Sequence, residues 1–136
     1  MYEITITNSY IIVENIIKNT HKYYGALFSF TGTIKSENNN KQVKNVTYRV
    51  FTQLFIQLLK KRCESLIKNN YIDYISITQF TGALHVGGTN SIILVSAKNR
   101  NTAFYACKDL VEMLKYELPI WKKETYLDGT YQWINV

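Results

Sequence analysis

Apolar residues recur along this chain with two periods, and the points where the period changes mark the predicted elements. "YEITIT" alternates apolar and polar residues, the period-two pattern of a half-buried strand. Asn8 or Ser9 can cap a following helix whose inner stripe is Ile12, Val13, Ile16 and Ile17. Gly25 opens "ALFSFTGTIK", a strand with Phe28 and Phe30 on one face. "SENNNKQ" carries no core residue and reads as a mobile loop, and "VKNVTYRVF" as the next strand. Leu54, Phe55, Leu58, Leu59, Arg62, Cys63, Leu66 and Ile67 keep a helical period, which predicts a second helix over 51–68. "YIDYISITQF" alternates as a strand, "HVGGTN" turns at Gly87-Gly88, and "SIILVSA" is short enough for a buried strand. Ala103, Phe104, Cys107, Leu110, Val111 and Leu114 mark a third helix, ended by Pro119, and "TYQWI" reads as a last strand. The mixed order predicts one α+β domain over 1–136, without a repeat or a linker.

Composition narrows the class. The chain has 136 residues, 46% of them hydrophobic and 14% aromatic, so a packed core is expected and disorder is not. The eleven tyrosines are expected to pack in that core. A net charge of +6 suits solubility and also an anionic partner. The densest basic run, Lys60 to Arg62, falls in a predicted helix and reads as a solvated face. Cys63 and Cys107 lie on apolar helix faces, as buried thiols of a reducing compartment do, which points to the cytoplasm or an organelle stroma. No apolar run reaches membrane-spanning length, and the first residues lack a basic-then-apolar leader.

Candidate chemistry is sparse until the end of the third helix. The histidines are His21 and His85, and no Cys or His pair has metal-ligand spacing. There is no phosphate loop, no dinucleotide glycine pattern and no nucleophile elbow. "LKYELPIWKKE" places Lys115 in the last turn of a helix, where a cation complements the helix dipole. Lys122 and Lys123 follow the proline, in a stretch that reads as loop. Leu118, Ile120 and Trp121 surround these lysines, and such surroundings restrict solvent and lower a lysine's pKa. Seven residues would put Lys115 and Lys122 on one face of an unbroken helix, but Pro119 breaks it. Spacing therefore leaves their convergence open.

Three segments resemble the large, catalytic subunit of molybdopterin synthase, the MoaE-like family. "GALFSFTGTIK" is similar to its Gly-Ala…Phe-x-Gly-x-Val-Arg segment, and "SAKNRNTAFYAC" to its Ser-x-His-Arg-x-x-Ala-Phe-x-Ala segment. "LKYELPIWKKE" fills every fixed position of its Leu-Lys-x-x-x-Pro-x-Trp-Lys-Lys/Arg-Glu signature, and Gly129 and Trp133 match its closing Gly…Trp. The likeness runs from about Gly25 to Trp133. It implies an α/β hammerhead-type fold with a mixed, mainly antiparallel sheet and about three helices. It implies a homodimer that binds a small ubiquitin-like sulfur carrier ending in Gly-Gly, giving a heterotetramer. The carrier's terminal thiocarboxylate would donate sulfur to cyclic pyranopterin monophosphate, and two rounds make the dithiolene of molybdopterin. By signature, Lys115 and Lys122 are the catalytic lysines. Lys35, Asn99 and Arg100 are the substrate-binding candidates, with Lys35 and Arg100 as anion-binding groups for the pterin phosphate. No metal or other cofactor is called for, nor nucleic acid or membrane.

The chain departs from the family at four places. Lys35 replaces an arginine and loses its bidentate fork. Asn99-Arg100 replaces His-Arg, and Asn99 cannot titrate near neutrality. Gln79 and Phe80 replace another His-Arg, and Ala83 stands where glutamate is common. Two other readings fit the same residues: a carrier-binding dimer that performs no chemistry, and a small basic RNA-binding domain.

Overall fold

The computed structural model describes residues 1–20 and 25–135, so His21 lies outside the described residues. In chain order the elements are β1 (Tyr2–Thr7), α1 (Val13–Lys18), β2 (Ala26–Thr33), β3 (Glu37–Asn38), β4 (Lys41–Val50) and α2 (Thr52–Asn70). They continue with β5 (Ile72–Phe80), β6 (Gly82–His85), β7 (Thr89–Ala97), α3 (Arg100–Tyr116), β8 (Ile120–Tyr126) and β9 (Tyr131–Asn135). The strands form two sheets. The first has the order β1-β5-β7-β2, with β1 parallel to β5 and the other pairs antiparallel. The second has the order β3-β4-β8-β9 with β6 also on β4, all antiparallel. Three helices and mixed, mainly antiparallel sheets agree with the fold class expected from the sequence. Among the described residues no helix is long and apolar enough to cross a membrane.

Helices α2 and α3 cover one face of the first sheet, α2 over β1 and β5, α3 over β7 and β2. Phe55, Leu59 and Cys63 recur every fourth residue of α2 and are fully buried, each large side chain contributing about 1.5–3 kcal/mol. On α3 the buried stripe is Ala103, Ala106, Cys107, Leu110, Met113 and Leu114. Phe104, expected in that stripe, is 48% exposed and stacks edge-on against Phe28 and Tyr105. Burial lifts the thiol pKa of Cys63 to about 12 and that of Cys107 to about 11, so both are inert core residues.

Several expectations fail for identifiable reasons. Helix α1 is only six residues long, is capped by Ile12 rather than Asn8 or Ser9, and buries none of its residues. It lies over the polar face of the first sheet, where Thr5, Ser76 and Thr78 line a groove of about 380 Å³, so its isoleucines find no apolar floor. Strand β5 is buried almost throughout instead of alternating, because it is central in its sheet. "SENNNKQ" is a tight hairpin, not a loose loop: Asn39 and Asn40 have φ of 51° and 64° between β3 and β4. Two consecutive positive φ values define the type I′ turn that matches strand twist, and asparagine tolerates them. Five tyrosines (Tyr10, Tyr71, Tyr105, Tyr116 and Tyr131) are exposed rather than packed in the core. The stretch holding Lys122 and Lys123 is strand β8, bracketed by β4 and β9, and not a loop.

Candidate active site

The site begins where α3 ends. The amides of Glu117 and Leu118 both bond back to the Met113 carbonyl, at 2.9 and 3.1 Å, closing the helix just before Pro119. Leu118 is buried and anchors the turn, and the Phe51 amide donates to the Pro119 carbonyl at 3.0 Å. The chain then reverses into β8. Arg62 of α2 holds the same end of α3, pairing with Asp109 at 2.8 Å and Glu117 at 3.0 Å. Arg62 is therefore a clamp rather than part of a solvated run.

This reversal makes Lys115 and Lys122 converge. Both line one open cleft of about 850 Å³, together with Lys35, Asn38, Trp121 and Gln132. Both also line an adjoining, smaller chamber of about 270 Å³. Lys35 follows the end of β2, held there by Ile34. That residue is buried and exchanges backbone hydrogen bonds with the Gly87-Gly88 turn, at 2.8 and 3.0 Å. Lys122 is half-buried, and its pKa is lowered, first by desolvation and then by the positive charges of Lys35 and Lys115. Glu124 opposes that shift.

Glu124 is a fixed position of the signature, and the structure gives it a place beside Lys122. It lies two residues along the same face of β8 as Lys122 and is 3% exposed. Asn38 Nδ2 donates to its Oε1 at 2.6 Å, and the Tyr126 hydroxyl donates at 3.2 Å. A buried carboxylate needs such partners. The bond to Asn38 ties the β3–β4 hairpin to the cleft as one of its walls. An acidic residue two positions after a lysine in an alternating strand is the signal that marks it, but it shows only once β8 is known to be a strand.

Asn99 and Arg100 are elsewhere. Asn99 caps α3, its Oδ1 accepting from the amides of Asn101 and Thr102 at 2.8 and 3.4 Å. Arg100 follows it, and fifteen residues of helix at 1.5 Å each separate it from Lys115 by roughly 22 Å. Within one chain the cleft therefore gathers Lys35, Lys115 and Lys122 but not Asn99 or Arg100. Among the described residues no cluster of His, Cys, Asp or Glu could hold a metal.

The family model described as "MoaE protein" matches residues 6–117. The chain belongs to the MoaE family. The molybdopterin synthase catalytic subunit of Bacillus subtilis is 33% identical over 136 residues, covering 99% of this chain and 86% of that protein. The crystal structure of molybdopterin synthase from Staphylococcus aureus superposes with a TM-score of 0.85 at 25% identity, covering 97% of this chain and 96% of that one. In the Helicobacter pylori complex of subunits 1 and 2 of molybdopterin-converting factor, one chain shares the fold with a TM-score of 0.81 at 17% identity, over 97% and 90% of the two chains. The MoaE signature that continues past residue 117 is the segment that turns at Pro119 and delivers Lys122 to the cleft.

Proposed function

We propose that this MoaE-family chain, acting as one domain, is a molybdopterin synthase catalytic subunit. It transfers sulfur from the C-terminal thiocarboxylate of a small ubiquitin-like carrier to cyclic pyranopterin monophosphate, forming the dithiolene of molybdopterin. The observation that carries this reading is the convergence of Lys35, Lys115 and Lys122 on one cleft. Three cations there suit two anions at once: the substrate phosphate and the thiocarboxylate tail. Lys35 takes the phosphate, as a point charge in place of a guanidinium fork. Lys115 lies beside the tail's terminal carbonyl. Lys122, with its lowered pKa, is the lysine of the three suited to take and return a proton.

Asn99 and Arg100 enter through a second copy. Strand β2 is an edge of the first sheet, and Leu27, Phe104 and Tyr105 lie exposed near its start. A two-fold partner paired along β2 runs antiparallel, which carries the start of its α3 toward the Thr33–Lys35 end of the first copy. The assembly on this reading is a homodimer with one carrier at each cleft. The buried free thiols fit a reducing compartment, either cytoplasm or an organelle stroma.

The test is direct. The purified chain is mixed with thiocarboxylated carrier and cyclic pyranopterin monophosphate, and mass spectrometry follows the gain of two sulfur atoms on the pterin. Product should form, and a carrier lacking its two terminal glycines should give none. A chain that binds the carrier yet never yields dithiolene is a docking protein, and the catalytic reading is then wrong.

A further inference from the structure

The chamber beneath the lysines holds a hydrogen-bonded chain that the family signature does not include. Tyr48 stands directly opposite Lys122 in the β4–β8 pairing, so both side chains leave the same face of the sheet. Its hydroxyl accepts from Asn90 Nδ2 at 3.0 Å. Ser91 in turn donates to Asn90 Oδ1 at 2.7 Å, which fixes the direction of the amide. Tyr48, Asn90 and Ser91 all line the small chamber with Lys115 and Lys122. The bond from Asn90 occupies an acceptor position on the phenol oxygen and leaves the phenol's own hydrogen to face the chamber. Among the described residues it has no protein acceptor there. Burial raises the Tyr48 pKa to about 12, so the hydroxyl keeps its proton at any working pH. Space for the chain comes from β2: a Cβ on Gly32 would overlap the Asn90 amide oxygen and approach Ser91 Oγ to 2.9 Å.

We propose that Tyr48 is a catalytic hydrogen-bond donor to the terminal carbonyl oxygen of the sulfur carrier, with Asn90 and Ser91 as the positioning residues that aim it. This rests on the sulfur-transfer reading above. Once the thiocarboxylate sulfur is bonded to the pterin, an acyl–sulfur bond joins the two partners and must be hydrolysed. Water's oxygen bonds to the carbonyl carbon, and the carbonyl π pair moves onto its oxygen. When that pair returns, the carbon–sulfur bond breaks with its electrons on sulfur. The carrier leaves as a carboxylate, the sulfur stays on the pterin as a thiolate, and water's two protons pass to solvent. The carbonyl oxygen carries its greatest charge midway, and a neutral donor fixed in a chamber of mainly apolar lining stabilises that moment more than the ground state.

The experiment compares Tyr48→Phe, Asn90→Asp and the double variant in the sulfur-transfer assay. Tyr48→Phe keeps the ring and loses only the donor. Asn90→Asp keeps the tyrosine but substitutes a group that can only accept, which draws the phenol hydrogen away from the chamber. Each should lower kcat by about 10²-fold with KM for the precursor unchanged, the pattern of an interaction made in the transition state. The double variant should be no worse than either single, because one hydrogen bond is lost in all three. Circular dichroism confirms folding, and if Tyr48→Phe fails to fold, Asn90→Asp carries the comparison. Parent-like kcat in the folded variants, or a change in KM alone, overturns the role of Tyr48 while Lys115→Ala remains inactive and the overall reading stands. A parent protein that makes no dithiolene overturns both.

Discussion

Lys122 and Lys123 share a dipeptide, a strand and a formal charge, but β8 turns them to opposite faces of its sheet. Lys122 points inward to the cleft, half-buried, with Lys35 and Lys115 close enough to lower its pKa and Glu124 beside it. Lys123 points outward and lies over the Tyr131 ring at 4.3 Å and the Trp133 ring at 6.0 Å. The charged form of the first is disfavoured where it sits. The second is stabilised by aromatic faces and serves the sheet. Charge type and sequence neighbourhood are the same for both; strand parity alone separates them.

The sharpest way to break this contrast is to truncate the inward lysines. Lys122→Ala or Lys115→Ala should slow sulfur transfer by about 10²–10⁴-fold, the range of a lost acid–base group, with the fold retained. Lys115 lies outside the buried stripe of α3, so its removal opens no core cavity. Single-turnover kinetics with a matched melting curve measure both quantities; wild-type rates in either variant would return that lysine to surface charge.

A smaller effect tests the carboxylate. Glu124→Gln removes the one neighbour that raises the Lys122 pKa, leaving burial and the two cations that lower it. If Lys122 works in its neutral form, activity rises with pH through that pKa. The variant's rising limb should therefore move to lower pH, and its peak rate should fall about tenfold as the bond to Asn38 weakens. A pH–rate profile shifted upward would place Glu124 in some other role.

Stability offers a third comparison, with the opposite sign. The Lys122 pKa is lowered in the folded state, so between that value and the unfolded one the unfolded chain binds more protons and stability climbs with pH. Below the folded value the cost of the buried ammonium is present in full. Lys122→Met should therefore melt higher than the parent at neutral pH, by about 0.5–1 kcal/mol, and the advantage should fade toward strongly alkaline pH. A melting point that falls on this substitution would mean that Glu124 already offsets the cost. Last, Lys123→Ala should leave sulfur transfer unchanged and cost about 0.5–1 kcal/mol through its lost cation–π contacts, read by urea titration.

The same contrast explains what the sequence could disclose. Long apolar periods were legible: α2 and α3 lie where predicted, because burial on a regular face imposes a regular spacing, and β5 and β7 lie where predicted although both are buried almost throughout. Strand β8 was not, since its inner face meets the cleft as well as the core, so Lys122 and Glu124 occupy positions that a hydrophobic pattern reserves for apolar residues. Phe104 misled in the other direction, an apolar residue in step with the core stripe but turned to the surface. The hairpin at Asn39-Asn40 was hidden by composition: a polar tract looks loose unless asparagine is credited with tolerance for positive φ. The two lysines were legible only through the family signature, and their convergence depends on a reversal at Pro119 that spacing leaves undetermined. Tyr48 and Asn90 carried no signal, because they lie far apart in the sequence and meet only when β4 and β7 are brought to the same chamber.

The pairing of β4 with β8 has a temporal consequence. Tyr48 faces Lys122 across a very long loop of intervening chain, while Lys35 comes from before that loop and Lys115 from its end. Closing such a loop is entropically slow and is rewarded only after α2, the central sheet and α3 have collapsed between the two strands. The candidate site is therefore among the last parts of the molecule to be completed during synthesis. A nascent chain released before β8 is made can hold all three helices, the first sheet, Lys35 and Lys115 and still lack Lys122. The half-made protein has no complete cleft at which to spend an activated sulfur.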